Sequence, residues 1–175
     1  KGCREDKAKG GMVIVQKVKN GEILALACSP SFNANKPCKE SYSVLRNPAI
    51  SDVFEPGSTF KVFVAAAALE EALFNEESKI YCEQGEWSGP GVPVRDHKKS
   101  GWLTFQEVVE RSSNIGMAKV ALRLGYPRLY RCFRDFGFGN FTGIKLPGES
   151  RGILPRPNQC SEVHLSRIAL GQGIG

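Results

Sequence analysis

The longest unbroken apolar run in the chain is Val62 to Leu69, and four of its eight residues are alanine. A bilayer-spanning helix needs about 20 apolar residues, so this run is not a membrane span. Alanine on every side instead suits a helix buried on all faces and packed closely against its neighbours. The stretch extends from Thr59 to Leu73, and Glu55-Pro56-Gly57-Ser58 before it is turn chemistry. Ser58 therefore stands at the N-cap or in the first turn of the helix. Such a helix has to be wrapped by other elements, and the composition can supply them. Hydrophobic residues are 41% of the 175 and charged residues 24%, which excludes a mainly disordered chain. The length fits one domain or a piece of one.

The remaining elements are read from their boundaries. Residues 1–10 are charged and aperiodic, and are expected to be a linker or a cut end. Met12 to Val18 and Ile23 to Cys28 are apolar, β-branched-rich runs flanking Asn20-Gly21, a hairpin signature. Ser29 to Asn47 reads as loop, as does Gln84 to Gly101. Thr104 caps a helix over about Phe105 to Arg111. A second helix covers Asn114 to Leu124 and stops at Gly125, and a third covers Pro127 to Phe136. Gly139 to Pro157 is studded with glycine and proline and reads as extended loop. Glu162 to Leu170 is a last short helix. There are no internal repeats and no second domain boundary, so residues 11–175 are expected to form a single domain.

Charge and cysteine narrow the function classes. The net charge is +6, which permits acidic partners without demanding them. Arg128, Arg131 and Arg134 share one side of the third helix. A solvated helix face accounts for them better than a nucleic-acid stripe. The six cysteines lack CxxC or zinc spacing, so a metal site is not expected. They allow three disulfides in 15 pairings, or buried free thiols.

Two short patterns carry chemistry. Ser58-Thr59-Phe60-Lys61 is an S-x-x-K tetrad, which puts an amine and a hydroxyl one turn apart on one helix face. Phe60, Val62 and Phe63 can desolvate the lysine and lower its pKa, and a neutral lysine is a competent base for a serine nucleophile. With 14 Ser and 13 Lys in the chain, chance gives about one such tetrad; its placement at the mouth of the most apolar helix gives it weight. Ser112-Ser113-Asn114 is an S-x-N triplet at a helix junction. It offers a hydroxyl for proton relay and a carboxamide for a substrate amide, or simply helix capping. Ser31-Phe32-Asn33 matches the same triplet. Gly148-Glu149-Ser150-Arg151-Gly152 matches the nucleophile elbow of α/β-hydrolases, but Pro147, Pro155 and Pro157 deny it the strand and helix it needs. Only Glu162 and His164 could complete that triad. Lys99-Ser100-Gly101 matches K-[ST]-G as letters but lies in a loop ahead of the triplet.

The tetrad and triplet together, in this order, resemble the penicillin-binding protein transpeptidases. The likeness extends through the opening hairpin from Gly11 to Asn33, Asn47-Pro48-Ala49, and Phe54 to Lys61. It continues in Arg111 to Gly125, in Phe136 to Pro155 with its Leu146-Pro147-Gly148-Glu149-Ser150, and in the terminal Ala169 to Gly175. It covers roughly residues 10 to 175 and is most similar to the class B enzymes of division or sporulation type. It implies an α+β layered fold of the serine β-lactamase/DD-transpeptidase kind. That fold would be incomplete here, with the N-terminal hairpin and helical region present and later strands absent.

It further implies that Ser58 attacks the penultimate D-Ala carbonyl of a peptidoglycan stem peptide. The acyl group then passes to an amine of a neighbouring stem, and β-lactams acylate the same serine. Lys61 would deprotonate Ser58, Ser112 would shuttle a proton, Asn114 would bind the donor amide, and the Ser58 N–H would serve the oxyanion. No metal or cofactor is implied. The implied partners are stem peptides, β-lactams and division-complex membrane proteins, with no nucleic acid. The implied location is the extracytoplasmic face of a bacterial inner membrane, with the anchor outside this chain. The K-[ST]-G motif of the family belongs after the last matching segment, so the chain is expected to be a fragment of low activity on its own. A β-lactamase or β-lactam sensor of the same fold, and a non-catalytic scaffold, are the competing readings.

Overall fold

Asn20-Gly21 turns the chain between two β-branched-rich runs, and the hairpin expected there forms. In a computed structural model, which describes residues 2–36 and 42–175, β1 (Gly11–Gln16) pairs antiparallel with β2 (Ile23–Ser29), from Gly11 opposite Ser29 to Val15 opposite Ala25. Gly21 has φ +75° and donates its N–H to the Lys17 carbonyl at 2.8 Å; a side chain there would strain the backbone. The described residues divide into two compact units.

The first unit runs through Asp52 and includes Gly143–Ser150. Besides the hairpin it holds three one-turn helices, α1 (Gly2–Glu5), α2 (Tyr42–Leu45) and α3 (Pro48–Ser51). Asn47 caps α3: its Oδ1 accepts the Ala49 N–H at 3.2 Å, and Pro48 fills a first-turn position, where its missing N–H costs nothing. α3 packs on both strands. The Ser150 N–H donates to the Ile50 carbonyl at 2.8 Å, tying the 143–150 segment to α3. Among the described residues this sheet has two strands. Among the described residues Met12, Val13, Ile14 and Val15 of β1 are all exposed.

The second unit comprises Val53–Thr142 and Arg151–Gly175. The Ala-rich run forms α4 (Lys61–Glu70), entered through a 3₁₀ turn, Gly57–Phe60. Ser58 lies inside that turn and does not cap it. Next come β3 (Lys79–Tyr81), β4 (Glu86–Trp87), β5 (Val94–Arg95) and β6 (Trp102–Thr104). β3 pairs with β6 and β4 with β5, both antiparallel. The 84–101 segment, expected to be loop, thus contains a hairpin whose two-residue strands are too short to show alternation. Helices α5 (Phe105–Glu110), α6 (Asn114–Leu124), α7 (Tyr126–Asp135) and α8 (Glu162–Ile168) complete the unit. Thr104 and Glu107 form a capping box at the start of α5.

α6 is central: α4, α5, α7 and α8 all pack against it. Ile115, Gly116, Met117, Ala118, Val120, Ala121 and Leu124 are buried, so almost its whole circumference is apolar or small. α4 lays Phe60, Val64, Ala67 and Ala68 into the same core. Phe60 and Phe133 pack with tilted rings at 4.7 Å between centroids, and Phe63 and Phe138 edge to face at 4.8 Å. Each fully buried phenylalanine contributes about 1.5–3 kcal/mol through water exclusion. This aromatic cluster fixes the start of α4, and hence Lys61, against the rest of the helical layer.

The arginine face of α7 is engaged in ordinary surface contacts. Arg128 and Arg131 both pair with Glu71, at 3.0 and 3.2 Å. Arg134 donates to the Phe138 carbonyl. Cys3, Cys28, Cys82, Cys132 and Cys160 are free thiols; Cys38 lies outside the described residues. Among the described residues no helix is long and apolar enough to cross a membrane.

Candidate active site

The site is assembled where α5 stops and α6 starts. The Ser112 N–H bonds the Val109 carbonyl and the Ser113 N–H bonds the Val108 carbonyl, both at 3.0 Å. This is a Schellman stop, which places the residue after the C-cap in the left-handed region. That residue is Ser112, at φ +53°. Glycine is the usual residue in such a stop; this chain puts a serine. Ser113 then begins α6 as its N-cap, accepting the Gly116 N–H at 2.9 Å. The two serines therefore divide the roles the sequence left open: Ser113 caps, and Ser112, half-buried, presents its hydroxyl to Lys61.

Lys61, first residue of α4, is only 3% exposed. Its Nζ donates to the Ser112 carbonyl at 2.6 Å, to Ser112 Oγ at 3.0 Å and to Asn114 Oδ1 at 2.7 Å. An ammonium has three N–H donors, and three acceptors meet them. Burial pushes the Lys61 pKa from 10.5 down to about 8, against the opposing pull of the Asp96 charge. Ser58 sits one turn before Lys61 and is exposed, and its carbonyl accepts the Lys61 backbone N–H. Among the described residues its hydroxyl makes no hydrogen bond. The tetrad and triplet, more than 50 residues apart in sequence, thus meet through the lysine.

Asp96, directly after β5, belongs to this constellation and carries no sequence motif. Its Oδ2 accepts from Ser113 Oγ at 2.7 Å, and its Oδ1 from the N–H groups of Asn114 at 2.5 Å and Ile115 at 3.1 Å. The preceding Arg95 carbonyl accepts from Asn114 Nδ2 at 2.7 Å. A carboxylate at a helix N-terminus satisfies orphan donors and meets the positive end of the helix dipole. The only hint in the sequence is a lone acid after Val94-Arg95, some 17 residues ahead of a capped helix. Gly171 is a second residue the motifs did not flag. At φ +72° its carbonyl accepts the Gly57 N–H at 3.0 Å, and an added Cβ would land on the Gly57 backbone. The turn that carries Ser58 therefore rests against bare backbone.

The alternative matches acquire no such surroundings. Asn33 Oδ1 accepts the Asn35 N–H in a local turn. After Ser150 no helix begins before the short 3₁₀ turn at Pro157–Gln159, so the elbow geometry is absent. His164 Nδ1 lies 3.4 Å from its own capping residue, Ser161. Lys99-Ser100-Gly101 is loop, with the Gly101 carbonyl receiving the Cys82 N–H.

Residues 11–175 match the family model described as the penicillin binding protein transpeptidase domain. The chain belongs to the penicillin-binding protein transpeptidase family. It is 33% identical over 169 residues to peptidoglycan D,D-transpeptidase FtsI of Escherichia coli, covering 97% of this chain and 28% of that protein. It is 37% identical over 168 residues to stage V sporulation protein D of Bacillus subtilis, covering 94% and 26%. Among solved structures it is similar to the transpeptidase domain of Burkholderia pseudomallei penicillin-binding protein 3. There the TM-score is 0.85 at 27% identity, covering 98% of this chain and 47% of that one. The chain thus spans between a quarter and a third of these curated relatives' length. The mixed helix and strand content is that of a partial α+β transpeptidase fold, as the sequence led one to expect, and these relatives are class B penicillin-binding proteins.

Proposed function

We propose that this chain carries the acylation half of a serine D,D-transpeptidase site that cross-links peptidoglycan stem peptides and is acylated by β-lactams. The observation that carries the reading is the seating of the tetrad lysine on Ser112 and Asn114. In this reading Ser58 Oγ attacks the penultimate D-Ala carbonyl carbon, and Lys61, in its neutral form, takes the hydroxyl proton. The backbone N–H of Ser58 steadies the oxyanion. As the C–N bond breaks, the proton passes through Ser112 Oγ to the departing terminal D-Ala amine. An amine of a second stem then attacks the Ser58 ester and restores the hydroxyl. Asn114 Nδ2 spends one proton on the Arg95 carbonyl, and the second is available to a carbonyl of the donor peptide. The work takes place on the extracytoplasmic side of the inner membrane, beside partners of the division machinery.

Fluorescent penicillin followed by intact and peptide mass spectrometry tests this. A stable adduct on Ser58, absent from Ser58→Ala, is expected. Rapid release of the penicilloyl group would point to a β-lactamase instead. Failure to label Ser58, both here and in a longer chain carrying a downstream K-[ST]-G motif, would leave the scaffold reading.

A further inference from the structure

We infer that Asp96 is a positioning residue for the proposed acylation site, holding the Ser112–Asn114 turn in the arrangement that receives Lys61. This rests on the reading above and adds to it a residue outside both motifs.

The argument starts from what the turn lacks by itself. Ser112 sits in left-handed backbone, a conformation that strains a residue other than glycine. It joins two helix ends whose terminal backbone groups need partners. Asp96 supplies several at once. One oxygen takes the first two N–H groups of α6, and the other takes the hydroxyl of the N-cap Ser113. The adjacent Arg95 carbonyl fixes the amide end of Asn114, so that Oδ1 points back to Lys61. One dipeptide at the end of β5 thereby sets the start of α6, the orientation of the Asn114 carboxamide and the placement of Ser112. Capping alone would need only one of these contacts.

The electrostatic setting follows from the same placement. Among the described residues, Asp96 is the charged group that acts on Lys61, opposing the effect of burial. The other groups facing Lys61, Ser112 and Asn114, are neutral. Beyond Asp96 lies the Cys82 thiol, which burial holds above its usual range, and Lys119, which is ion-paired with Glu83. Arg95 is paired with Glu86 at 3.5 Å, and His97 and Lys98 are exposed. Removing the Asp96 charge therefore acts on Lys61 with no second carboxylate to take its place.

The test reads Lys61 rather than turnover. ¹⁵N-lysine spectra, assigned with Lys61→Arg, give the titration midpoint of Lys61 and the exchange rate of its Nζ protons in wild type, Asp96→Asn and Asp96→Ala. Asp96→Asn keeps an oxygen for the α6 N–H groups but loses the charge. Its Lys61 midpoint is expected to fall by about half a unit or more, with Nζ exchange within a few-fold of wild type. Asp96→Ala loses the anchor too, and Nζ exchange is expected to quicken by about tenfold or more as the three acceptors disperse. A wild-type Lys61 midpoint in Asp96→Asn overturns the inference, and that variant remains informative if Asp96→Ala does not fold. A folded Asp96→Ala with wild-type exchange overturns it equally. Penicillin labelling of the wild type and of the longer chain is scored separately: Ser58 unlabelled in both, with an Asp96-dependent Lys61, sinks the transpeptidase reading and leaves this coupling standing.

Discussion

Replacing Gly116 with alanine sets two effects of known size against each other. In an exposed helix, alanine is better than glycine by about 1 kcal/mol. Gly116 is not exposed: it is buried on α6 where the helix crosses α5. A Cβ built there would stand 2.6 and 2.7 Å from the two methyls of Val108 and 3.1 Å from Ser113 Oγ. Carbon pairs prefer about 3.5–4.0 Å, so something must move by roughly an ångström. Val108 is fully buried and its backbone carbonyl is held in the Schellman stop, which leaves it little room. Overpacking of this kind costs about 1–3 kcal/mol, and displacing the Ser113 cap adds up to about 1 kcal/mol. After subtracting the helical gain, Gly116→Ala is expected to destabilise the second unit by about 1.5 kcal/mol, within a span of roughly 0–3 kcal/mol.

Urea unfolding followed by far-UV circular dichroism measures this. Val108→Ala removes both offending methyls and costs about 2 kcal/mol by leaving a cavity. The double variant should be less destabilised than the sum of the two singles by about 1 kcal/mol or more. Gly116→Ala at or above wild-type stability, or strict additivity with Val108→Ala, would refute the claim that α6 is held against α5 at contact distance.

Three further expectations follow from the site. With Lys61 near pH 8 folded against 10.5 unfolded, the unfolded chain binds more protons between those values, so the Lys61 contribution to stability rises with pH across that window; urea midpoints at pH 7.5 and 9.5 should show the rise in wild type and not in Lys61→Met. Penicillin acylation should rise with pH and level off above about 8, since about a tenth of the lysine is neutral at pH 7; a flat profile from pH 6 to 9 would remove Lys61 as the base. Gly171→Ala is expected to lose about 2 kcal/mol or more by driving a Cβ into the Gly57 backbone at positive φ, read in the same urea assay and in slower labelling of Ser58.

Helix α6 could be read from the sequence to the residue, because local signals set both its ends: Ser113 accepts from the third helical N–H, and Gly125 supplies the positive φ that stops it. The hairpin was legible for the same kind of reason, since Asn20-Gly21 acts within a few residues. The small strands β3 to β6 were not. With two or three residues apiece they have no period, and their pairing is decided by what lies across the sheet. Lys61 was legible as a chemical group, but not its three acceptors. Asp96 was invisible, because its partners lie 17 to 19 positions away and nothing in its own neighbourhood marks it.

Ser112 has a consequence for anyone engineering this chain. Its backbone conformation is one in which glycine is more comfortable than any other residue, while its hydroxyl is what Lys61 holds. A screen that rewards melting temperature alone would be drawn to Ser112→Gly, because relaxing left-handed strain is among the easier ways to harden a protein. The result would be a sturdier chain stripped of the hydroxyl that Lys61 binds. At this position hardiness and chemistry pull the side chain in opposite directions, so thermostable libraries have to keep it fixed.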